Sequence, residues 1–342
     1  MAHILQGVER HTPALSTGHV TTQHLIQIYY EVHCVGPKAP SPGGDSRPTS
    51  PTNLGATRLV LIMGFACGCS AWYPLLQQLE TVWDAGPLEV LMTDNRGIGF
   101  SSIPSDKSQY STSVMAQDVL LVMDHLGWSQ AHVAGFSMGG MIATKLAAAA
   151  PHRVSSLSIL SVTGGGMEIL PRCWRGWKYA LKGLMAKTPH ERAIVDLKLH
   201  FSKRTLKLLE PSSGRRLRQV LYEEYTSRST GSQPQAESGF TGQGYAVWSH
   251  SVSDSDVKRI KSGAMPVWYI HGRHDVLATP RFAEQLAARF GAPCVYVDGA
   301  HMTSRENADE VALLLRTIMT QSSRAHEPQQ ASKAPSTYLC LA

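Results

Sequence analysis

The sequence lacks an apolar run that could span a membrane: the longest, near residues 59–69, falls well short of the roughly 20 residues that a bilayer requires. The first ten residues lack the apolar core of a secretory signal peptide. The chain also shows no internal repeat and no RNA- or DNA-binding motif. These absences argue against nucleic acid as a partner and predict an intracellular, cytoplasmic protein, with targeting to an organelle left open.

Cysteine is scarce and forms no metal-binding pattern. Of the six cysteines only Cys67 and Cys69 lie close together, and no second pair with histidines completes a zinc site. We therefore expect reduced thiols and no metal ion. A chain of 342 residues buries a core large enough to fold without a metal or a disulfide.

Short apolar runs alternate along the chain with segments of helical periodicity. Residues up to about Val20 are expected to be irregular, and residues 25–32, rich in β-branched and aromatic side chains, to form an outer strand. Because strand–helix alternation produces parallel sheets covered on both faces, the sequence predicts an α/β protein with a mostly parallel sheet. The other predicted strands are 58–63, 88–93, the run before 137, 157–162, 267–270 and 294–297, and the predicted helices are 72–79, 112–126, 141–150, 280–290 and 307–320.

The composition changes between residues 164 and 261, where helical segments rich in Lys, Arg and Trp replace the strands. We predict that residues 164–261 are a helical cap inserted into an α/β core formed by 20–163 and 262–320. Two segments lack apolar spacing: 36–53 is predicted to be a flexible loop, and 321–342 a disordered tail.

The stretch 132–140 contains the pattern G-x-S-x-G with Ser137 at its centre. An apolar run typical of a buried strand precedes it, and the helix-forming run 141–150 follows it. A strand that turns sharply into a helix through this pattern is a nucleophile elbow, which lifts the serine hydroxyl above the sheet. Gly135 and Gly139 leave room for the strand and the helix to pass closely. A glycine-rich turn with an ordinary serine would show the same letters, so it is the strand–helix context that favours a nucleophile.

A serine nucleophile requires a base, and the base requires a carboxylate that holds its tautomer. Asp275 and His301 follow Ser137 in the chain order serine, acid, histidine, and each stands just beyond a predicted strand. Both loops would open at the edge of the sheet where the elbow lies. Asp298 is the alternative acid, although it is very near His301 in sequence, and a plain surface histidine is the alternative interpretation of His301.

An oxyanion hole requires two backbone N–H groups that point at the developing negative charge. Met138, directly after the nucleophile, is predicted to supply one of them. Phe65, in the glycine-containing loop after strand 58–63, is predicted to supply the other, although a plain strand exit would look the same. A second glycine turn at 94–101 is interpreted as structural, with its charged side chains bonding locally beneath the site.

Five stretches occur together in an order and spacing that resemble the α/β-hydrolase family over residues 25–319. They are Ile62-Met63-Gly64-Phe65, Asp94-Asn95-Arg96-Gly97-Ile98-Gly99, Gly135-Phe136-Ser137-Met138-Gly139, His271-Gly272-Arg273-His274-Asp275 and Gly299-Ala300-His301. The added stretch at residues 161–166 is similar to a group of little-characterised plant-type α/β hydrolases. The family usually has a histidine where Met63 stands, but backbone donation does not need that side chain.

The resemblance implies an α/β-hydrolase fold with an inserted helical cap, and hydrolysis of a carboxylic ester or related acyl bond without a cofactor. Ser137 would be the nucleophile, His301 the base and Asp275 its partner, with the N–H groups of Phe65 and Met138 as the oxyanion hole. Acyl transfer or thioester hydrolysis on the same triad is an alternative, and a ligand-sensing protein with vestigial hydrolysis is another.

The formal net charge is +6, and the predicted cap concentrates positive charge. A solvated helical surface is the simpler interpretation. The sharper one is a cap that attracts an anionic substrate, or that contacts an anionic membrane carrying a lipid ester. The cap's Trp174, Trp177 and Trp248 are candidates for an acyl pocket or for the cap core. The basic residues from 172 to 218 are Arg172, Arg175, Lys178, Lys182, Lys187, Arg192, Lys198, Lys203, Arg204, Lys207, Arg215, Arg216 and Arg218, and the acidic residues are Glu191, Asp196 and Glu210.

Overall fold

A computed structural model describes residues 13–36, 55–210, 213–231 and 235–326. The strands are β1 (Ser16–Thr21), β2 (Gln27–Val35), β3 (Thr57–Ile62), β4 (Leu88–Thr93), β5 (Ala131–Phe136), β6 (Val154–Leu160), β7 (Val267–Gly272) and β8 (Cys294–Val297). The α-helices are α1 (Tyr73–Val82), α2 (Thr112–His125), α3 (Met138–Ala149), α4 (Trp174–Met185), α5 (Pro189–His200), α6 (Leu217–Gly231), α7 (Glu237–Ser249), α8 (Asp254–Ser262), α9 (Pro280–Phe290), α10 (Thr303–Glu306) and α11 (Ala308–His326).

The eight strands form one sheet in the order β1-β2-β4-β3-β5-β6-β7-β8. The β1–β2 and β2–β4 pairs are antiparallel, and the remaining pairs are parallel. All residues of β4 and β5 are buried, as expected for central strands of a sheet that is covered on both faces. The predicted mostly parallel α/β sheet is confirmed.

Helices cover the two faces of the sheet and bury a separate apolar cluster under each. On one face α2 packs against α3, and Val119 and Ile142 belong to the cluster beneath them. On the other face α1 packs against α11, and Leu79 and Leu315 belong to the second cluster. Because both faces are filled, the strand ends are held in fixed relative positions, and the loops that follow them are held with them.

The ends of the chain differ from the prediction. The segment expected to be irregular up to Val20 includes β1, which pairs with β2 along its whole length. At the other end α11 continues past residue 320 into the predicted disordered tail, where Ser322 is buried and donates to the carbonyl of Ile318. The predicted tail from 327 onward and the predicted loop from 37 to 53 lie outside the described residues.

Between β6 and β7 the described residues form five α-helices and, apart from an isolated bridge between Leu209 and Arg216, no strand pairing. Helix α5 packs against both α4 and α6. Helix α8 instead packs against α3 and α9, and Asp256 forms a 2.8 Å ion pair with Lys145 of α3. The predicted cap, which ends at residue 261, therefore includes most of α8, although this helix belongs to the layer over the sheet.

None of the described helices is long and apolar enough to cross a membrane. The described part of the chain contains no cluster of three or more His, Cys, Asp and Glu side chains that could hold a metal ion. Its five cysteines are in the thiol form.

The turn after β4 is held by a buried ion pair rather than by local bonds alone. Arg96 donates to both carboxylate oxygens of Asp118 on α2, at 2.7 and 2.6 Å, and to the carbonyl of Gln109. Burial raises the pKa of the Asp118 carboxyl, and the bonds from Arg96 offset part of that rise. Asp94 does bond locally, since it accepts from the N–H of Phe100, while Arg96 reaches across to another element.

Removing Arg96 should therefore destabilise the protein strongly. Arg96→Met leaves the Asp118 carboxylate buried without its cation, and we expect a loss of about 3–5 kcal/mol in the free energy of unfolding, measured in urea. The double variant Arg96→Met/Asp118→Leu should recover much of this loss. Arg316→Met, which breaks an ion pair to the exposed Asp84, is the matched control and should cost about 1 kcal/mol or less. Equal losses of unfolding free energy for Arg96→Met and Arg316→Met would contradict the conclusion that the buried ion pair of Arg96 holds the turn after β4.

Candidate active site

Ser137 occupies the turn between β5 and α3 with φ 52° and ψ −120°. Residues with a side chain rarely adopt such a conformation, so the surrounding structure must hold it. A Cβ at Gly135 would overlap the carbonyl oxygen of Gly139, and a Cβ at Gly139 would overlap that of Ile62. Only glycine at both positions therefore allows β5 and α3 to meet at this angle. Ser137 remains partly accessible at the top of the turn.

The structure brings Asp275 and His301 to Ser137 from the loops after β7 and β8. His301 Nδ1 lies 2.8 Å from Asp275 Oδ2, and His301 Nε2 lies 3.2 Å from Ser137 Oγ. An ionised carboxylate only accepts hydrogen bonds, so Nδ1 carries the proton of a neutral His301. Nε2 is then the acceptor for the serine hydroxyl, which is the arrangement that a general base requires.

The second oxygen of Asp275 is anchored to the backbone. Oδ1 accepts the N–H groups of Leu277 at 2.8 Å and Ala278 at 2.9 Å, and Asp275 is buried. His271 also lies near this carboxylate, but its Nε2 donates to the carbonyl of Ala278 at 2.7 Å. Burial lowers the pKa of His271, which keeps that ring neutral. Asp275 is thus fixed in orientation, and its Oδ2 lies 2.8 Å from Nδ1 of His301.

Asp298, the alternative acid, is engaged elsewhere. Its two oxygens accept from His274 at 2.9 Å and Arg204 at 2.5 Å on the protein surface. The hydrogen bond from His274 is the largest cause of the lowered pKa of Asp298. Within the described residues, the carboxylate hydrogen-bonded to His301 is that of Asp275.

The loop after β3, which carries Phe65, passes close to Ser137. A Cβ at Gly64 would stand 3.1 Å from the Cβ of Ser137, so the backbone of this loop passes directly beside the serine. Asn95 fixes its start by donating to the carbonyl of Met63 at 2.7 Å. Phe65 follows Gly64 and is only partly buried, and its ring packs edge-on against Phe240 of α7 at 4.7 Å.

Gln243 of α7 is a buried side chain that the sequence did not single out. Its Oε1 accepts the N–H of Ala66 at 2.9 Å, and its Nε2 donates to the carbonyl of Arg96 at 2.9 Å. Ala66 has φ 57°, a left-handed conformation that is unfavourable for alanine. Gln243 therefore ties the loop that carries Phe65 to the glycine turn after β4.

Replacing Gln243 by leucine should lower kcat by about 10- to 100-fold with a smaller change in KM, because Ala66 loses its partner and the adjacent N–H of Phe65 shifts. The split between kcat and KM separates this positioning role from general loss of stability. Gln78→Leu, another buried glutamine on α1, is the matched control and should leave kcat unchanged. A folded Gln243→Leu protein with normal kcat would show that the bridge has no role.

His200 and Glu306 connect the predicted cap to the His301 loop, and neither was singled out from the sequence. The ring of His200 lies 6.2 Å from that of His301 at 30°, and its Nδ1 is 3.0 Å from Tyr225 Oη. Burial first, and His301 second, lower the pKa of His200 to about 3. Glu306 accepts the N–H of Ala300 at 2.8 Å and that of Ser202 at 3.0 Å. No motif marks these residues, because both act through contacts between distant parts of the chain.

The three cap tryptophans do not form an enclosed pocket. Trp174 is 82% exposed, Trp177 51% and Trp248 48%. Side chains this exposed neither line a closed acyl cavity nor build a cap core.

Comparison with known proteins places the chain in a family. The family model for the alpha/beta hydrolase fold matches residues 57–308. A putative carbamate hydrolase, RutD, of Azorhizobium caulinodans is 34% identical over 147 residues, which cover 43% of this chain and 45% of that protein. The 2-hydroxymuconate semialdehyde hydrolase of Pseudomonas putida is 25% identical over 242 residues, which cover 69% of this chain and 79% of that protein.

Solved structures agree at the level of the fold. The enol-lactonase from Burkholderia xenovorans LB400 has a TM-score of 0.66 at 22% identity and covers 89% of this chain and 100% of its own. The chain spans less than half the length of the first curated relatives that it matches. The matched region 57–308 nevertheless contains Ser137, Asp275 and His301 in the order observed here. This chain belongs to the α/β-hydrolase family.

Proposed function

We propose that this protein is a serine hydrolase that cleaves a carboxylic ester or a related acyl bond. The observation that carries the proposal is the hydrogen-bonded series from Asp275 through His301 to Ser137, set on a turn whose backbone is strained around the serine. A base within hydrogen-bond reach of a hydroxyl, itself oriented by a buried carboxylate, is the arrangement that activates a serine for acyl transfer.

In the first half of the reaction Ser137 Oγ attacks the acyl carbon while His301 Nε2 takes its proton. The carbonyl oxygen becomes an oxyanion, which the N–H groups of Met138 and Phe65 stabilise. His301 then gives the proton to the leaving oxygen, and the acyl group remains on Ser137. Asp275 stabilises the imidazolium and prevents the ring from turning.

In the second half a water molecule takes the place of the leaving group. His301 removes a proton from the water, the hydroxide attacks the acyl carbon, and Ser137 leaves with the proton that His301 returns. The neutral state of His200 matters in both halves, because a second positive ring 6.2 Å away would oppose protonation of His301. The ring of His200, which the cap places 6.2 Å from that of His301, is thus polar without being charged.

The relatives and structural neighbours differ in the bond for which they are named. Relatives are named for a carbamate and for a semialdehyde, and a structural neighbour is named as an enol-lactonase. These names span more than one type of bond. We assign an oxygen ester first, because Ser137 and His301 provide the nucleophile and the proton that a leaving alkoxide requires.

A fluorophosphonate probe tests the nucleophile directly, since Ser137 Oγ would displace fluoride and form a stable phosphonyl ester. We expect labelling of the native protein, and turnover of at least one substrate in a panel of esters, thioesters, lactones and carbamates. Parallel assays with added alcohols would detect acyl transfer instead of hydrolysis. A folded protein that neither labels nor turns over any member of the panel would overturn the proposal.

A further inference from the structure

Helix α4 turns its large apolar side chains outward. At 100° per residue the five bulky apolar side chains of this helix fall within an arc of about 100°. Trp174 is 82% exposed and Leu184 is 85% exposed, at opposite ends of the helix. The other members of this exposed apolar face are Trp177, Leu181 and Met185. Contiguous exposed apolar residues of this size mark an interaction surface rather than ordinary solvent exposure.

The opposite side of α4 carries small residues and packs against the protein. A Cβ at Gly176 would lie 2.8 Å from the Cβ of Pro171 and 3.2 Å from the carbonyl oxygen of Val276, and one at Gly183 would lie 3.6 Å from Val195. The helix therefore lies close to α5 and to the loop of Asp275. A side chain at Gly176 would collide with Pro171, so this side of α4 packs closely, and the five bulky apolar residues lie on the exposed side.

Positive charge surrounds the exposed apolar face. Residues 169–190 contain five Lys and Arg and no Asp or Glu. Lys178 and Lys182 are exposed at the margin of the apolar arc, and within the described part of the chain neither forms an ion pair. Elsewhere in the basic segment Arg204 pairs with Asp298 and Arg215 pairs with Glu223. Lys178 and Lys182 thus leave positive charge for a partner directly beside the exposed apolar face.

We propose that α4 is a docking helix for an anionic lipid bilayer. A helix with Trp and Leu on one face and Lys or Arg beside them lies in the plane of a membrane, with its apolar side chains among the headgroups and the upper acyl chains. Each Lys or Arg near an anionic surface adds about 1 kcal/mol. The first turn of α4 lies beside the backbone of Val276, next to Asp275, so docking brings the acid side of the site toward the membrane. The docking does not depend on the proposed hydrolysis.

Flotation with vesicles tests this surface in the full-length protein. We expect binding to vesicles of phosphatidylcholine and phosphatidylserine, weakening as salt rises, and much weaker binding to phosphatidylcholine alone. Lys178→Gln/Lys182→Gln should weaken binding to the anionic vesicles by about 30-fold, from two lost charges at the surface. Trp174→Gln/Leu184→Gln should weaken it by tenfold or more, and the tryptophan emission shift on binding should shrink.

Matched variants elsewhere on the surface separate docking from general effects of charge and apolarity. Lys258→Gln/Lys261→Gln on α8 makes the same change in net charge, and Leu209→Gln/Leu313→Gln removes two exposed leucines; both should bind like the native protein. Ser137→Ala should also bind normally, so a failure of the proposed activity would be distinguishable. Equal losses for the α4 and α8 lysine variants, or no binding to anionic vesicles, would overturn the proposal. So would a dimer that the α4 variants dissociate during sedimentation.

Discussion

Replacing Ser137 by alanine should lower kcat for ester hydrolysis on the order of 10³-fold or more and abolish fluorophosphonate labelling. The alanine methyl group cannot form the acyl-enzyme, so only positioning and the two N–H donors remain to accelerate attack by water. KM should change little, because the lost atom contacts the acyl carbon in the transition state rather than the rest of the substrate. Steady-state kinetics on the best ester of the panel measures both constants.

The control for this experiment is Ser158→Ala, which removes a buried hydroxyl from the neighbouring strand β6. It should keep full labelling and nearly native kcat. Adding His301→Ala to Ser137→Ala should cost little more, since groups that act as one unit lose their effect together. Persistent labelling of a folded Ser137→Ala protein would show that another residue is the nucleophile.

Asp275→Asn should reduce kcat by about 10⁴-fold while the protein stays folded. The asparagine amide keeps an oxygen for the N–H groups of Leu277 and Ala278, so the loop retains its anchor. Its nitrogen, now facing His301 Nδ1, donates rather than accepts and therefore favours the tautomer with the proton on Nε2. That tautomer cannot take the proton of Ser137. Kinetics and a thermal melt on the same preparation separate catalysis from stability.

The control for Asp275→Asn is the same change at Asp298. This residue lies in the next loop and bonds to His274 and Arg204 on the surface. Asp298→Asn should leave kcat within about threefold of native, because exposed ion pairs contribute little and do not reach the catalytic ring. A reversed order, with Asp298→Asn the more damaging variant, would mean that the loops rearrange in the active protein and that Asp275 is not the partner of His301.

The candidate site residues that could be located from the sequence are those whose positions are set within a single loop. The G-x-S-x-G pattern placed Ser137 at a strand–helix turn, and the strand ends placed Asp275 and His301 at one edge of a parallel sheet. Sequence reasoning could not choose between Asp275 and Asp298 by geometry, because both follow strands that end at that edge. The packing of the loop after β7 decides this, by anchoring one oxygen of Asp275 to the backbone and leaving the other for His301.

Elements that depend on distant partners were missed or misplaced. The alternating polar sequence of β1 has little apolar signal and becomes a strand because β2 offers it a free edge. Gln243 and Glu306 belong to no motif, because each side chain acts by hydrogen-bonding to backbone groups that are far away in the chain. The cap tryptophans were expected in an acyl pocket or in the cap core, whereas Trp174 and Trp177 lie on the outer face of α4.

The sequence by itself therefore determined the parallel sheet, the strand–helix turn at Ser137 and the chain order of Ser137, Asp275 and His301, because strand periodicity and glycine placement are local properties of the chain. Only the tertiary structure decided which carboxylate meets His301, which cap residues hold the loop of Phe65, and which side of α4 faces outward. Those outcomes depend on close packing between segments that lie far apart in the chain. The small side chains of Gly176 and Gly183 permit that packing, and the helix periodicity then turns Trp174 and Leu184 to the surface.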